Sequence, residues 1–295
     1  MPKTDGNRRW SKMFDWNAAL GCTRCSPTCS NCASARWLAS HKKPGLDSLL
    51  EMVVDNGPVA TLLGEKRTVP VFNGKVKLRP KELKLPLYLQ DDAQVFVCGC
   101  SDLFHKDIPD DFIEKIFAVV QARAGIVFFA LTRRPERAVE FAKLHDWPDN
   151  LWVGVSAETQ KLFDYRVSFL AKLPAKYRAV SIKPMMEPIN IMQEAGNFEL
   201  IIVGGQSGMG AQPMHPSWPG MIRDQCKQLQ VAFQFHQWGT WGLESTSSDN
   251  VSIWVTKDGN VNLDGHGALM YRVGSNIAGC VIDNEEWDQY PDTWR

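Results

Sequence analysis

Four of the chain's eight cysteines stand within one short stretch, Gly21-Cys22-Thr23-Arg24-Cys25-Ser26-Pro27-Thr28-Cys29-Ser30-Asn31-Cys32. Thiols this close can wrap one metal centre, and thiolates are the ligands that soft metal ions and iron–sulfur clusters take. A zinc ribbon separates its two Cys-x-x-Cys knuckles by roughly 15 to 20 residues, whereas only Ser26, Pro27 and Thr28 separate Cys25 from Cys29. The spacing points to an iron–sulfur centre, with a compact structural zinc knot as the alternative. Disulfides are the weaker explanation, because a chain of 295 residues has core enough without covalent staples.

The other groups able to do chemistry gather where short apolar runs end. CGCSDLFH supplies Ser101, Asp102 and His105, LTRRPER supplies Thr132, Arg133 and Arg134, and GVSAETQ supplies Ser156 and Glu158. IKPMMEP, VGGQSG and HQWG add Lys183, Glu187, Gly204, Gly205, Gln206, His236 and Gln237, with His215 further along. Ser101 and Asp102 are placed to hold a ribose or a substrate, unless Asp102 only caps its loop. His105 is a candidate acid or base, or else a loop hydrogen-bonder. The Arg133 guanidinium suits a carboxylate or phosphate held by paired bonds, the plainer role being a pair with a helix carboxylate such as Glu136. Ser156 and Glu158 face a similar choice between ligand and helix cap. The glycines allow a ligand close to the backbone, although they lack the GxGxxG spacing of a dinucleotide fold. Trp238 and Trp241 are candidates for stacking on a base.

These groups need elements that position them. Strands are expected at Val95 to Cys100, Ile126 to Thr132, Leu151 to Ser156, Arg178 to Ile182, Leu200 to Gly205 and Val231 to Gln237. Helical patterns separate several of them, at Pro109 to Ala124, Pro135 to His145, Thr159 to Lys172 and Pro216 to Gln230. The alternation implies an α/β fold of parallel strands with crossover helices, whose strand C-termini form the functional face. A doubly wound sheet and a barrel both satisfy the spacing. Residues 44–90, with Pro, Gly and scattered Lys and Arg, read as an irregular insertion, and a hairpin is expected around Lys257-Asp258-Gly259-Asn260.

Lys plus Arg equals Asp plus Glu at 33 each, so no overall field draws the chain to a polyanion or an anionic membrane. No run approaches the roughly 18 apolar residues of a membrane span, and the first ten residues are polar where a signal peptide needs an apolar core. A cytoplasmic protein is expected.

Taken together, the cysteine loop, CGCSDLFHKDIPDDF, LTRRPER, WVGVSAETQ, IIVGGQSGMGAQPMHPSW, RDQC, FHQWGTW and MYRVGSNIAGCVIDNEEWDQYPD make the chain resemble phage and bacterial three-cysteine proteins of the radical S-adenosylmethionine superfamily, distantly similar to spore photoproduct lyase. Cys25-x3-Cys29-x2-Cys32 has the spacing of the superfamily signature, while the three-cysteine proteins align with Cys22, Cys29 and Cys32, making Cys25 an addition. The resemblance implies a partial or complete (β/α) TIM-like barrel over residues 1–240, with the 44–90 insertion, and a C-terminal extension over 241–295 whose hairpin packs on the barrel. It implies a [4Fe–4S] cluster on Cys22, Cys29 and Cys32, with S-adenosylmethionine near Thr132, Arg133, Ser156, Glu158, Gly204, Gly205 and Gln206, and substrate chemistry near Ser101, Asp102 and His105. The implied enzyme is an isomerase or lyase acting on a nucleobase or hypermodified thymine in DNA, supplied by an external one-electron reductant, in the host cytoplasm if phage-encoded. Ala33 and Gln206 depart from the family's usual Tyr and Glu. A zinc-stabilised nucleic-acid-binding protein and a barrel partner without turnover are the rival readings.

Overall fold

The structure is a computed structural model that describes residues 13–41, 46–248 and 250–291. In chain order, β1 (Phe14–Trp16) and β2 (Ala19–Leu20) precede the cysteine loop, which enters α1 (Ala33–Ser40). Next come β3 (Leu50–Val54), α2 (Pro58–Leu62), β4 (Thr68–Phe72), β5 (Lys77–Leu78) and a 3-10 segment, Pro80–Tyr88. The alternating part follows as β6 (Gln94–Val97), α3 (Asp110–Ala122), β7 (Val127–Thr132), α4 (Pro135–Ala142), β8 (Leu151–Ser156), α5 (Gln160–Leu170), β9 (Arg178–Ile182), β10 (Leu200–Gly204), α6 (Ser217–Leu229) and β11 (Ala232–Gln237). The remainder holds β12 (Trp241–Gly242), β13 (Ser252–Val255), β14 (Val261–Asn262), β15 (Ala268–Arg272), β16 (Val281–Ile282) and β17 (Glu285–Glu286).

The fold is mixed α/β, with a seven-stranded parallel sheet in the order β1-β6-β7-β8-β9-β10-β11. This linear order, ending at β1 and β11, agrees with the partial form of the expected barrel and not with the complete one. The residues explain the elements. All six of β8 are buried, as suits a strand covered on both faces, and its Gly154 is demanded by packing, since a Cβ there would stand 2.6 Å from Leu131 Cδ2. α3 opens with Asp110 and Asp111 in its first turn, favourable at the positive end of the helix dipole, and buries Phe112, Ile113, Ile116, Phe117 and Val120 on one face. Gln230 in the left-handed conformation (φ 56°) ends α6.

Two expectations need correction, and one strand was not expected. The strand expected to run to Cys100 stops at Val97: the Cys98 N–H still bonds Trp16 O at 2.9 Å, and the left-handed conformation of Cys98 (φ 57°) then turns the chain. That turn lifts Gly99 to Asp102 out of the sheet. β1 carries too few residues for a periodicity to register, yet it pairs parallel with β6 from Phe14↔Val95 to Trp16↔Val97. Residues 44–90 are also more regular than expected, containing three strands and one α-helix among the described residues.

The chain divides into two compact units. The first comprises the described residues up to Glu51, Pro70–Ser156 and Tyr165–Ala179, and the second Met52–Val69, Ala157–Asp164 and the described residues from Val180. In the first, β1, β6, β7 and β8 run parallel, and Leu20, Ala35, Leu38, Leu49, Phe72 and Cys100 form an apolar cluster against which Cys22 and Cys32 pack. In the second, β10 and β11 run parallel, and the antiparallel sheet β12-β15-β13-β14 buries Trp241, Ile253, Val255 and Met270 with Val59 of α2. The expected hairpin is present, pairing Trp254↔Asn262 and Val255↔Val261.

Gly205, also in the second unit, marks a close approach of two backbone segments. A Cβ there would lie 1.9 Å from Trp238 O, and backbone cannot swing aside as a side chain can. Gly205→Ala is expected to destabilise the protein by about 1–3 kcal/mol, the usual cost of overpacking; an unchanged urea midpoint would show that this approach is loose.

Candidate metal centre

The cysteine loop is fastened to the C-terminal ends of β6 and β7. Gly21, with φ +91°, donates its N–H to Cys100 O at 2.9 Å and accepts the Ser101 hydroxyl at 2.7 Å. A side chain at Gly21 would collide with Lys75 O at 2.1 Å, so the residue before Cys22 must be glycine. Thr23 Oγ1 lies 2.7 Å from Nε2 of His105, whose other ring nitrogen accepts the Asp107 N–H at 3.1 Å. Pro27 starts a short 3-10 turn, Pro27–Asn31, which carries Cys29, and Cys32 stands at the N-cap of α1.

Cys22, Cys29 and Cys32 line one cavity of about 200 Å³, together with Ser101, Asp102, Arg133 and Ser156. Ser34, Cys98, Gly99, Thr23 and Arg24 complete its polar and backbone wall, and Phe72, Phe96 and Leu131 its apolar wall. That volume is several times the ~30 Å³ share of one liquid water, so there is room for a group larger than a single ion. Gly99 helps keep it open, since a Cβ there would strike the Phe96 ring at 2.8 Å. Three thiols lining such a space are ligands of the kind that the irons of a cluster take, one thiolate each. Among the described residues, no three His, Cys, Asp or Glu side chains are gathered as a single metal ion requires.

Charge around the thiols is organised by two arginines. Arg133 Nη1 lies 2.9 Å from Cys29 Sγ and 2.7 Å from Ser26 Oγ. Arg134 Nη1 lies 3.6 Å from Cys22 Sγ and 2.8 Å from Asp102 Oδ2, and its Nη2 donates to Thr23 O at 2.9 Å. Asp102, buried, also accepts the Thr132 hydroxyl at 2.7 Å and the N–H groups of Phe104 at 3.0 Å and Arg133 at 2.9 Å. Burial pushes the Cys22 thiol up to about 11, with Arg134 pulling the other way. A hydrogen bond from the Cys25 thiol holds Cys29 below the ordinary thiol value, against its burial and with help from Arg133. The same bond keeps Cys25 protonated. Burial lowers His105, and the Arg134 charge adds to it, so a neutral imidazole serves the loop.

The structure thus brings Cys22, Cys29, Cys32, Ser101, Asp102, Arg133 and Ser156 around one space. Thr132 reaches it through Asp102, and His105, fully buried, supports Thr23 from behind. Cys25 is exposed and is not one of the lining residues. Glu158, Gly204, Gly205 and Gln206 lie in the second unit. There Glu158 O accepts the Met186 N–H at 3.0 Å, Gly205 donates to Gln237 O at 2.8 Å, and Gln206 Oε1 accepts the Gln212 N–H at 2.8 Å. Lys183 Nζ and His236 Nε2 are 3.4 Å apart in that unit. Trp238 and Trp241 are not stacking surfaces: both rings are buried, and their indole N–H groups donate to Val281 O and Ala211 O. Sequence reasoning passed over Ser34, Phe96, Cys98 and Leu131; only their nearness to chemically active residues could have marked them.

A protein-family model matches residues 8–291. The chain belongs to the DUF5131 family. That family's description reads "protein of unknown function", and its match covers both units of this DUF5131 chain. No curated protein and no solved structure matches it. Among the described residues of this DUF5131 member, no helix is long and apolar enough to cross a membrane.

Proposed function

We propose that this chain is a radical S-adenosylmethionine enzyme in which Cys22, Cys29 and Cys32 hold a [4Fe–4S] cluster. The observation that carries this reading is the single cavity shared by those three thiols and by polar residues from the C-terminal ends of three parallel strands. When bound, the cluster supplies the electron that cleaves the sulfonium of S-adenosylmethionine to a 5′-deoxyadenosyl radical. The chain's own part is to hold and shelter. Gly21 and Thr23 fix the loop through Cys100 and His105. Phe72, Phe96 and Leu131 form an apolar wall that keeps water from a reactive centre. The Ser101 hydroxyl donates a hydrogen bond to Gly21 O, which leaves oxygen lone pairs to accept from a ligand. Ser156, buried on the same cavity, adds a second hydroxyl.

The resemblance in the motifs suggests the substrate, a nucleobase or hypermodified thymine in DNA rearranged or cleaved by hydrogen-atom abstraction, and it calls for an external one-electron reductant. Anaerobically prepared protein, reduced and given S-adenosylmethionine, is expected to release 5′-deoxyadenosine. A full complement of iron with no 5′-deoxyadenosine would leave the barrel-partner reading, and one zinc per chain with no iron the zinc-binding one.

A further inference from the structure

Arg133 and Arg134 follow β7 directly, and both turn toward the cysteine loop, more than a hundred positions earlier in the chain. Each places one guanidinium nitrogen at a different thiol, Arg133 at Cys29 and Arg134 at Cys22. Neither is left to chance. Asp102 fixes the Arg133 backbone through its N–H and the Arg134 side chain through an ion pair, and Arg134 is further held by Thr23 O. A planar, always-charged donor so anchored is suited to a fixed electrostatic task.

Reduction adds one negative charge to a cluster that its thiolates already make negative. A cation donating a hydrogen bond to a ligating sulfur stabilises the more negative form, and hydrogen bonds to sulfur are among the factors that set iron–sulfur potentials. Shielding from water strengthens the effect. We propose that Arg133 and Arg134, held by Asp102, are positioning residues that donate to the ligand thiolates of Cys29 and Cys22 and so raise the reduction potential of the cluster. This rests on the cluster reading above. It gives the Nη1 of Arg133, which Ser26 and Cys29 share, a task distinct from holding a substrate carboxylate.

The test is a potentiometric titration of the anaerobically reconstituted holoprotein, without S-adenosylmethionine or substrate, followed by electron paramagnetic resonance. Arg133→Gln and Arg134→Gln should each keep the parent iron content and move the midpoint to more negative potential. The double variant should move it further. Arg133→Lys and Arg134→Lys, which keep a charged donor, should shift it less than the corresponding Gln variants. A midpoint unchanged at full iron content would overturn the proposal, as would loss of iron from the Lys variants, which would make the arginines builders of the loop. A parent protein that takes up no cluster would instead overturn the reading on which the proposal stands.

Discussion

Cys29→Ala and Cys32→Ala are each expected to take the protein from about four irons per chain, the content of one cubane cluster, to essentially none. Both residues belong to either possible ligand set, and both line the cavity. Cys29 is also the thiol on which Arg133, Ser26 and Cys25 converge, so its loss removes a proposed ligand and leaves its partners facing empty space. The remaining two cysteines separate under the same measurement. Cys22 lines the cavity and packs on the apolar cluster beneath it, whereas Cys25 is exposed. Cys22→Ala should therefore lose the iron and Cys25→Ala retain it. Iron and colour assays after anaerobic purification decide the matter, and the opposite outcome for this pair would assign Cys25 as the first ligand.

Asp102→Asn is expected to be the most destabilising single substitution at the site. The carboxylate is buried and accepts from Thr132, Phe104, Arg133 and Arg134. An amide in its place turns an NH2 group toward donors it cannot accept from and leaves the Arg134 guanidinium without its counter-charge. Breaking a buried ion pair from one side costs about 3–5 kcal/mol. Urea unfolding of the apoprotein should show a loss of that order, and because no iron is needed, the result is independent of the cluster reading. A change below about 0.5 kcal/mol, the level of ordinary surface substitutions, would mean that Arg134 finds another partner or that water enters.

Much of the fold was legible because it is written in local pattern. Leu151–Ser156 and Arg178–Ile182 stand where their runs of mostly apolar residues placed them, since short runs of that kind mark buried strands. The helices between the strands differ from expectation chiefly at their ends, where helices fray and the pattern fades. β1 escaped because three residues carry no period, and its partner β6 lies about eighty positions further along the chain. The turn at Cys98 escaped as well: a left-handed cysteine has no signature in the sequence. Trp238 and Trp241 resembled stacking rings only so long as the groups around them were unknown.

What the sequence by itself determined is the set of thiols and the order of the β/α elements. Four cysteines within a dozen positions are neighbours whatever the rest of the chain does, and periods of two and 3.6 residues are local properties. What only the tertiary structure decided is the surroundings of those thiols. Arg133 and Cys29 are separated by 104 positions, and Arg134 and Cys22 by 112. No local preference brings such pairs together; parallel pairing of β6 with β7 and the anchoring of both strand ends by Asp102 do so. The direction taken by a long, flexible arginine depends on which acceptors that pairing leaves within reach, and here these are the Asp102 carboxylate, the Thr23 carbonyl and two cysteine sulfurs.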